Sequence, residues 1–263
     1  MNPTKLGGRV ALITGSAAGI GHAIAMALAG QGCAIMLHGL EDPAQAQNAL
    51  EAVQALGVPV SYHQVDLEDP HAIERLVNEG LARFGAIDIL INNAVTRHFA
   101  PLEDFPTEAW DRALRVNVSA PFHTVRLALP AMRRSGWGRI VNMTSVYGER
   151  GTSNRIDYVT SKAALGGMTR AIAAEVAGQG ITCNAVCPGS VLTPNIDKRL
   201  NHLMVEHGLS REAATREFLA GKQPVPRFIP AEHVAQLILF LCSDAAGEIN
   251  GANLPMDSGW LAT

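Results

Sequence analysis

Tyr158 and Lys162 stand four residues apart in the stretch SVYGERGTSNRIDYVTSK, which runs from Ser145 to Lys162. On a helix that spacing puts both on one face, one above the other. An ammonium beside a phenol favours the phenolate and lowers a pKa that is otherwise about 10, so the pair could take or give a proton near neutral pH. Ser145 follows a buried-looking strand, Gly138 to Thr144, and so sits at a carboxyl end, where open α/β sheets place ligands. An ordinary helix face with a lysine laid along it would carry the same two residues. The weight therefore falls on the other motifs.

The second motif is Thr14-Gly15-Ser16-Ala17-Ala18-Gly19-Ile20-Gly21. Gly15 permits a tight turn, Gly19 lets backbone approach a pyrophosphate, and Gly21 permits close packing of helix on strand. Such glycines carry that meaning only between a strand and a helix. The periodicity supplies both: Arg9 to Thr14 reads as a strand and Gly21 to Gln31 as a helix.

The same alternation continues along the chain. Further strands are expected at Cys33–His38, Val60–Val65, Ile87–Ile91, Arg139–Met143, Thr182–Val186 and Ala252–Met256. Helices are expected at Pro43–Leu56, Pro70–Phe84, Tyr158–Ala177 and Ala231–Cys242, with one long helix over Ala109–Arg134 that contains Pro121 and Pro130. This order predicts an α/β, Rossmann-like, doubly wound parallel sheet of seven strands with helices on both faces, in one dinucleotide-binding domain over 1–263. The segment between Pro188 and Pro230 holds no strand. Two small helices, Ile196–His207 and Ser210–Ala220 with Ser210 as N-cap, make it a candidate substrate lid at about 190–226.

Composition excludes several classes. The chain is 48% hydrophobic, enough for a sizeable core, and its net charge is −3 with no basic block, so nucleic acid is not an expected partner. No long apolar run follows basic residues at the N-terminus, and neither a membrane span nor a signal peptide is expected. Cys33, Cys183, Cys187 and Cys242 have no metal or redox spacing and read as buried, reduced thiols of a cytoplasmic protein. The nine histidines show no ligand spacing beside carboxylates, and no catalytic metal is expected.

The glycine spacing, Thr-Gly-x-x-x-Gly-Ile-Gly, resembles that of the classical short-chain dehydrogenase/reductase family, and the resemblance covers the whole chain. Further matches fall in the family's order: Asp66, Asn92-Asn93-Ala94, Asn117, Ser145, Tyr158, Lys162, Pro188-Gly189 and Thr193. The resemblance implies a catalytic tetrad of Asn117, Ser145, Tyr158 and Lys162. Tyr158 would be the general base, Ser145 would bond the reacting oxygen, and Asn117 would hold a water linking Lys162 to solvent. A polar residue bridging a helix irregularity would equally explain Asn117. The implied nicotinamide cofactor would be held by Gly15, Ser16, Gly19, Ile20, Gly21, Leu40, Asp66, Leu67, Asn93, Ala94, Tyr158, Lys162, Pro188, Gly189, Val191 and Thr193. Val95 replaces a glycine usual in the family. Family members are commonly tetramers, and a homotetramer is the corresponding expectation.

The end of the second strand reads His38-Gly39-Leu40-Glu41-Asp42, with two acids and no Arg or Lys. Acids there suit an adenosine ribose and repel a 2′-phosphate, so NAD is expected over NADP. Glu41 and Asp42 also read as solvated turn residues. The local wording resembles bacterial 3-hydroxybutyrate dehydrogenases at His38–Pro43, Arg126–Pro130, Gly136–Ile140, Val191–Pro194 and Gly259–Leu261. Where those enzymes grip a carboxylate, this chain aligns Arg97, Tyr147, Arg155 and Arg199, and Ser190 stands for a tryptophan. The Arg155 and Arg199 pair resembles the sulfonate clamp of hydroxypropyl-coenzyme M dehydrogenases. With Ser145 and Tyr158, these residues form the expected substrate site. Its substrate would be a small anion: a hydroxy sulfonate, a sulfo-sugar or a hydroxy acid. The arginines could instead pair with Glu149, Asp157 or Asp197. The alternatives are a 3-hydroxybutyrate dehydrogenase proper and an NADPH-dependent biosynthetic carbonyl reductase.

Overall fold

The computed structural model describes residues 6–263. The strands are β1 (Val10–Ile13), β2 (Ala34–Gly39), β3 (Val60–Gln64), β4 (Ile89–Asn92), β5 (Gly138–Met143), β6 (Ile181–Pro188) and β7 (Asn253–Met256). They form one seven-stranded sheet in the order β3-β2-β1-β4-β5-β6-β7, and every pairing is parallel. The chain order therefore reverses between β1 and β4, the switch point at which such sheets bind ligands.

The helices are α1 (Gly19–Ala29), α2 (Pro43–Gln54), α3 (Pro70–Phe84), α4 (Thr107–Leu114), α5 (Ala120–Ser135), α6 (Ile156–Val176), α7 (Pro194–His207), α8 (Arg211–Leu219) and α9 (Ala231–Leu241). The five central strands, β2, β1, β4, β5 and β6, are buried along their whole length because both sheet faces are covered. Along β1, Ala11 and Ile13 face a layer containing Ile24, Leu28, Val234 and Ile238 of α1 and α9. Val10 and Leu12 face the opposite layer, with Leu76, Ala128, Met132 and Val176 of α3, α5 and α6. That is the two-residue alternation of a strand buried on both sides. Asp42, Asp69 and Thr193 cap α2, α3 and α7, each with proline as the first helical residue. Ser210 caps α8 as expected, its Oγ accepting from the Ala213 N–H at 3.2 Å.

The expected single helix over Ala109–Arg134 is corrected. A π-helical turn, Arg115–Ser119, separates α4 from α5. Pro121 has no N–H to offer the Asn117 carbonyl four residues earlier, so the α-helical ladder fails there. The Asn117 side chain fills the irregularity. It accepts from the Thr96 N–H at 2.9 Å and donates to the Thr96 carbonyl at 2.8 Å and Ser161 Oγ at 3.1 Å.

The excursion after β6 leaves and returns at one point. Val191 and Ile229 form a parallel bridge, Ile229 N–H donates to the Ser190 carbonyl at 2.9 Å, and buried Gln223 accepts from Ser190 N–H at 3.2 Å. The helices α7 and α8 thus stand on a closed neck. No helix among the described residues is long and apolar enough to cross a membrane.

Gly21 is the tightest glycine of the β1–α1 turn. A Cβ there would strike the Gly15 carbonyl and come 2.7 Å from Asn93 Nδ2. Gly21→Ala is expected to cost about 1–3 kcal/mol of stability, checked as a fall of several degrees in melting temperature. Unchanged melting would contradict this packing.

Candidate active site

The turn after β1 is held by its neighbours rather than by itself. Thr14 Oγ1 accepts from the N–H groups of Asn93 at 2.9 Å and Ala94 at 3.0 Å. Asn93 Nδ2 in return donates to the carbonyls of Thr14 at 2.9 Å and Gly15 at 2.8 Å. Gly15 has φ 64°, and a Cβ on it would lie 2.9 Å from Ala94 Cα, so only glycine fits this contact without strain. His38 closes the other side. Its Nδ1 accepts from the Gly15 N–H at 3.1 Å and its Nε2 donates to the Val65 carbonyl at 3.0 Å. Burial holds the imidazole down to about 4, so the ring is neutral and this tautomer is fixed by its two bonds.

These turns open onto a cavity of about 460 Å³. Of the expected cofactor residues, Gly15, Gly19, Ile20, Asn93, Ala94, Tyr158, Lys162, Pro188, Gly189, Val191 and Thr193 line it. Ala18 precedes α1 without a side-chain cap, so the first N–H groups of that helix are free for an anion. These N–H groups at Gly19 and Ile20 are of the kind that would suit the diphosphate of a dinucleotide. Five expected residues lie off the wall. Ser16 is fully buried, its hydroxyl bonding the Ile13 carbonyl at 2.8 Å and its N–H the His38 carbonyl. Gly21 packs inside the turn. Leu67 belongs to the core, Leu40 is 55% exposed, and Asp66 caps the Glu68 N–H at 3.0 Å. Glu41 does line the cavity.

At the far end of the cavity, α6 and β5 bring Ser145, Tyr158 and Lys162 together. Ser145 Oγ accepts from the Tyr147 N–H at 3.3 Å, which leaves its hydroxyl proton to donate outward. Lys162 is buried and donates to the Met143 carbonyl at 2.7 Å, with Nζ 5.6 Å from the Tyr158 ring centre. Burial, and then the charge of Arg97, hold its ammonium down to about 7. The Asn117 side chain does not bond Lys162; its amide is spent on Thr96 and Ser161.

A smaller cavity of about 80 Å³ adjoins Tyr158, and all six expected substrate residues line it: Arg97, Ser145, Tyr147, Arg155, Tyr158 and Arg199. The three acids that could have neutralised the arginines are engaged elsewhere. Asp197 pairs with Arg211, and Glu149 accepts from Asn253 at 2.8 Å. Asp157 accepts from the N–H groups of His98 at 2.8 Å and Tyr158 at 2.6 Å. Aromatic rings space the cations instead. Arg155 lies 5.2 Å from the Tyr147 centroid and 4.4 Å from that of Phe99; Arg199 lies 5.8 Å from Phe99 and 5.3 Å from Phe218.

Sequence reasoning gave no site role to His38, Phe99, Phe218, Trp260 and Lys222, and weighed Asp157 only as a partner for the arginines. Trp260 and Lys222 line the smaller cavity from distant segments. Lys222 is one of few lysines in the chain, but nothing in the spacing near Gly221 and Gln223 ties it to Tyr158.

A family model described as Enoyl-(Acyl carrier protein) reductase matches residues 15–261. The chain is 42% identical over 257 residues to the D-beta-hydroxybutyrate dehydrogenase of Cupriavidus necator, covering 98% of this chain and 99% of the relative. It is 40% identical over 255 residues to the D-beta-hydroxybutyrate dehydrogenase of Rhizobium meliloti, covering 97% and 99%. A crystal structure of L-sorbose reductase from Gluconobacter frateurii, complexed with NADPH and L-sorbose, superimposes with a TM-score of 0.94 at 30% identity, covering 99% of each chain.

Lys162 generates a stability prediction. Its folded pKa lies below its unfolded value of about 10.4. The unfolded chain therefore takes up the proton first as pH falls, and the charge penalty is complete below about 7. Lys162→Met is expected to gain stability over the natural protein at pH 7, and the gain should shrink as pH rises toward 10. Denaturant melts at several pH values check this; a gain that grows with pH would contradict it.

Proposed function

The chain belongs to the short-chain dehydrogenase/reductase family, and from that membership we propose that it is an NAD-dependent enzyme that reversibly oxidises a secondary hydroxyl on a small anionic substrate. Membership makes it an oxidoreductase dependent on a nicotinamide cofactor. The observation that carries the finer reading is the junction of two cavities at Tyr158, the larger lined by the glycine turn and the smaller by arginines without a carboxylate.

The bound nicotinamide would accept the hydride from the substrate carbon. This chain's residues do the rest. Tyr158 takes the hydroxyl proton as general base. Lys162 and Arg97, 5.6 and 5.8 Å from the centre of its ring, stabilise the phenolate that receives it. Ser145 donates its free hydroxyl proton to the reacting oxygen as charge changes there. Arg155 and Arg199 hold the substrate's anion by charge-assisted hydrogen bonds, and so set which hydroxyl reaches Tyr158. Asn117, through the π-helical turn, fixes Thr96 and the loop bearing Arg97. The α7–α8 excursion, about 190–226, acts as the lid of a single domain, bringing Arg199 down on its closed neck.

Two observations support NAD. Glu41 borders the cavity near the end of β2, its carbonyl fixed by the Tyr62 hydroxyl at 2.6 Å. The basic residues lining that cavity, Arg97 and Lys162, stand at the Tyr158 end, away from β2. The NADPH of the L-sorbose reductase complex marks the competing choice.

Cofactor reduction with a panel of 3-hydroxybutyrate enantiomers, longer hydroxy acids, hydroxyalkanesulfonates and sulfoquinovose tests this reading. The kcat/KM is expected to favour NAD over NADP. Tyr158→Phe is expected to lower kcat by about 10²–10⁴. Arg155→Ala and Arg199→Ala are each expected to lower kcat/KM for the preferred anion by about 10–100-fold. Efficient turnover of 3-hydroxybutyrate untouched by either arginine variant would return the protein to an ordinary hydroxybutyrate dehydrogenase. A preference for NADP would support the reductase alternative.

A further inference from the structure

A fourth cation stands at the smaller cavity. Lys222, just beyond α8, lines it beside Arg97, Arg155 and Arg199. Its Nζ bonds the Phe218 carbonyl and lies 3.7 Å from the Phe218 ring centre. The cations thus extend in an alternating series with rings: Tyr147, Arg155, Phe99, Arg199, Phe218, Lys222. Among the described residues no salt bridge engages any of the four cations, and no Asp or Glu lines the cavity. Burial, and then the like charges of Arg199 and Arg155, hold the Lys222 ammonium down to about 8.

Rings attract cations through their faces but cancel none of the charge. Bringing like charges together at a partly closed site costs free energy in the empty protein, and a ligand must offset it. One sulfonate or one carboxylate brings a single negative charge to four positive groups. A phosphonate or phosphate monoester brings close to two, with three acceptor oxygens on one compact centre. All four cations line one small cavity of about 80 Å³.

We propose that the preferred substrate carries a dianionic head group of the phosphonate or phosphate-monoester class, and that Lys222 reads its second charge. This deepens the anionic reading above and rests on it. It adds Lys222 as a specificity-determining residue on the loop that closes the α7–α8 excursion.

The test compares two ligands of nearly equal shape, 2-hydroxypropylphosphonate and 2-hydroxypropane-1-sulfonate, at about pH 7.5, where Lys222 is still mostly protonated and the phosphonate already carries part of its second negative charge. Calorimetric titration into the full chain, with reduced cofactor present, gives the ratio of their Kd values. The phosphonate is expected to bind about tenfold tighter. Lys222→Met should bring the ratio close to one, and Lys222→Arg should keep most of it. Equal affinities, tighter sulfonate binding, no binding of the phosphonate, or a ratio unchanged in Lys222→Met would each overturn the proposal. The earlier reading fails separately: it fails when no anionic hydroxy compound is oxidised, whichever head group binds better.

Discussion

The carboxyl edge of this sheet depends on the seam between β1 and β4. These strands are neighbours in space and far apart in sequence, so their loops diverge and leave a gap. Thr14 and Asn93 bridge it with four hydrogen bonds, all donated from the β4 side: two backbone N–H groups to the Thr14 hydroxyl and the Asn93 amide to two carbonyls. Each loop therefore uses the other's backbone as its template. Glycine at position 15 is the condition for this contact, because a side chain would separate the two loops. His38, neutral between Gly15 and Val65, extends the seam to β2 and β3. The cradle is stiff because its polar groups bind one another before any ligand arrives.

Electrostatics divides the site. At the glycine turn the positive end of α1 is a set of backbone N–H groups, with Glu41 nearby. Around Tyr158 the positive charge is carried by side chains, and Lys162 is buried on a main-chain carbonyl instead of a carboxylate. Beyond it the arginines rest on rings. The acids close by serve the backbone or other partners: Asp157 anchors two N–H groups, and Asp197 takes Arg211. Uncompensated charge in a folded chain costs stability, so a site built this way is shaped for what it receives.

Local rules made much of this readable in advance. The strands announced themselves as apolar runs, the cap of α8 as Ser210, and the turn as glycines between strand and helix. Motif order then brought Ser145, Tyr158 and Lys162 to one cavity. What could not be read was long-range. Lys222 reaches the cavity that Arg155 lines only through the way the chain after α8 returns to Ser190, which no spacing encodes. Ser16 and Leu67 stood in the right motifs, but side-chain direction in an irregular turn is decided by packing, which turned both inward. The break at Asn117 had its cause in plain view at Pro121. Its shape depended on Thr96, a residue of another loop.

The short loop bearing Arg97 is stapled on both flanks. Asn117 grips Thr96 by both its N–H and its carbonyl, and Asp157 grips the N–H of His98. Neither staple involves the side chain at 97. The backbone there is thus fixed by α6 and the π-helical turn, whatever residue the position carries. A gene lineage could exchange Arg97 for glutamine, histidine or an apolar residue and change what the enzyme accepts while its fold stays intact. Position 97 is a socket in the evolutionary sense: new specificities can be tried there one codon at a time, without first passing through a misfolded ancestor.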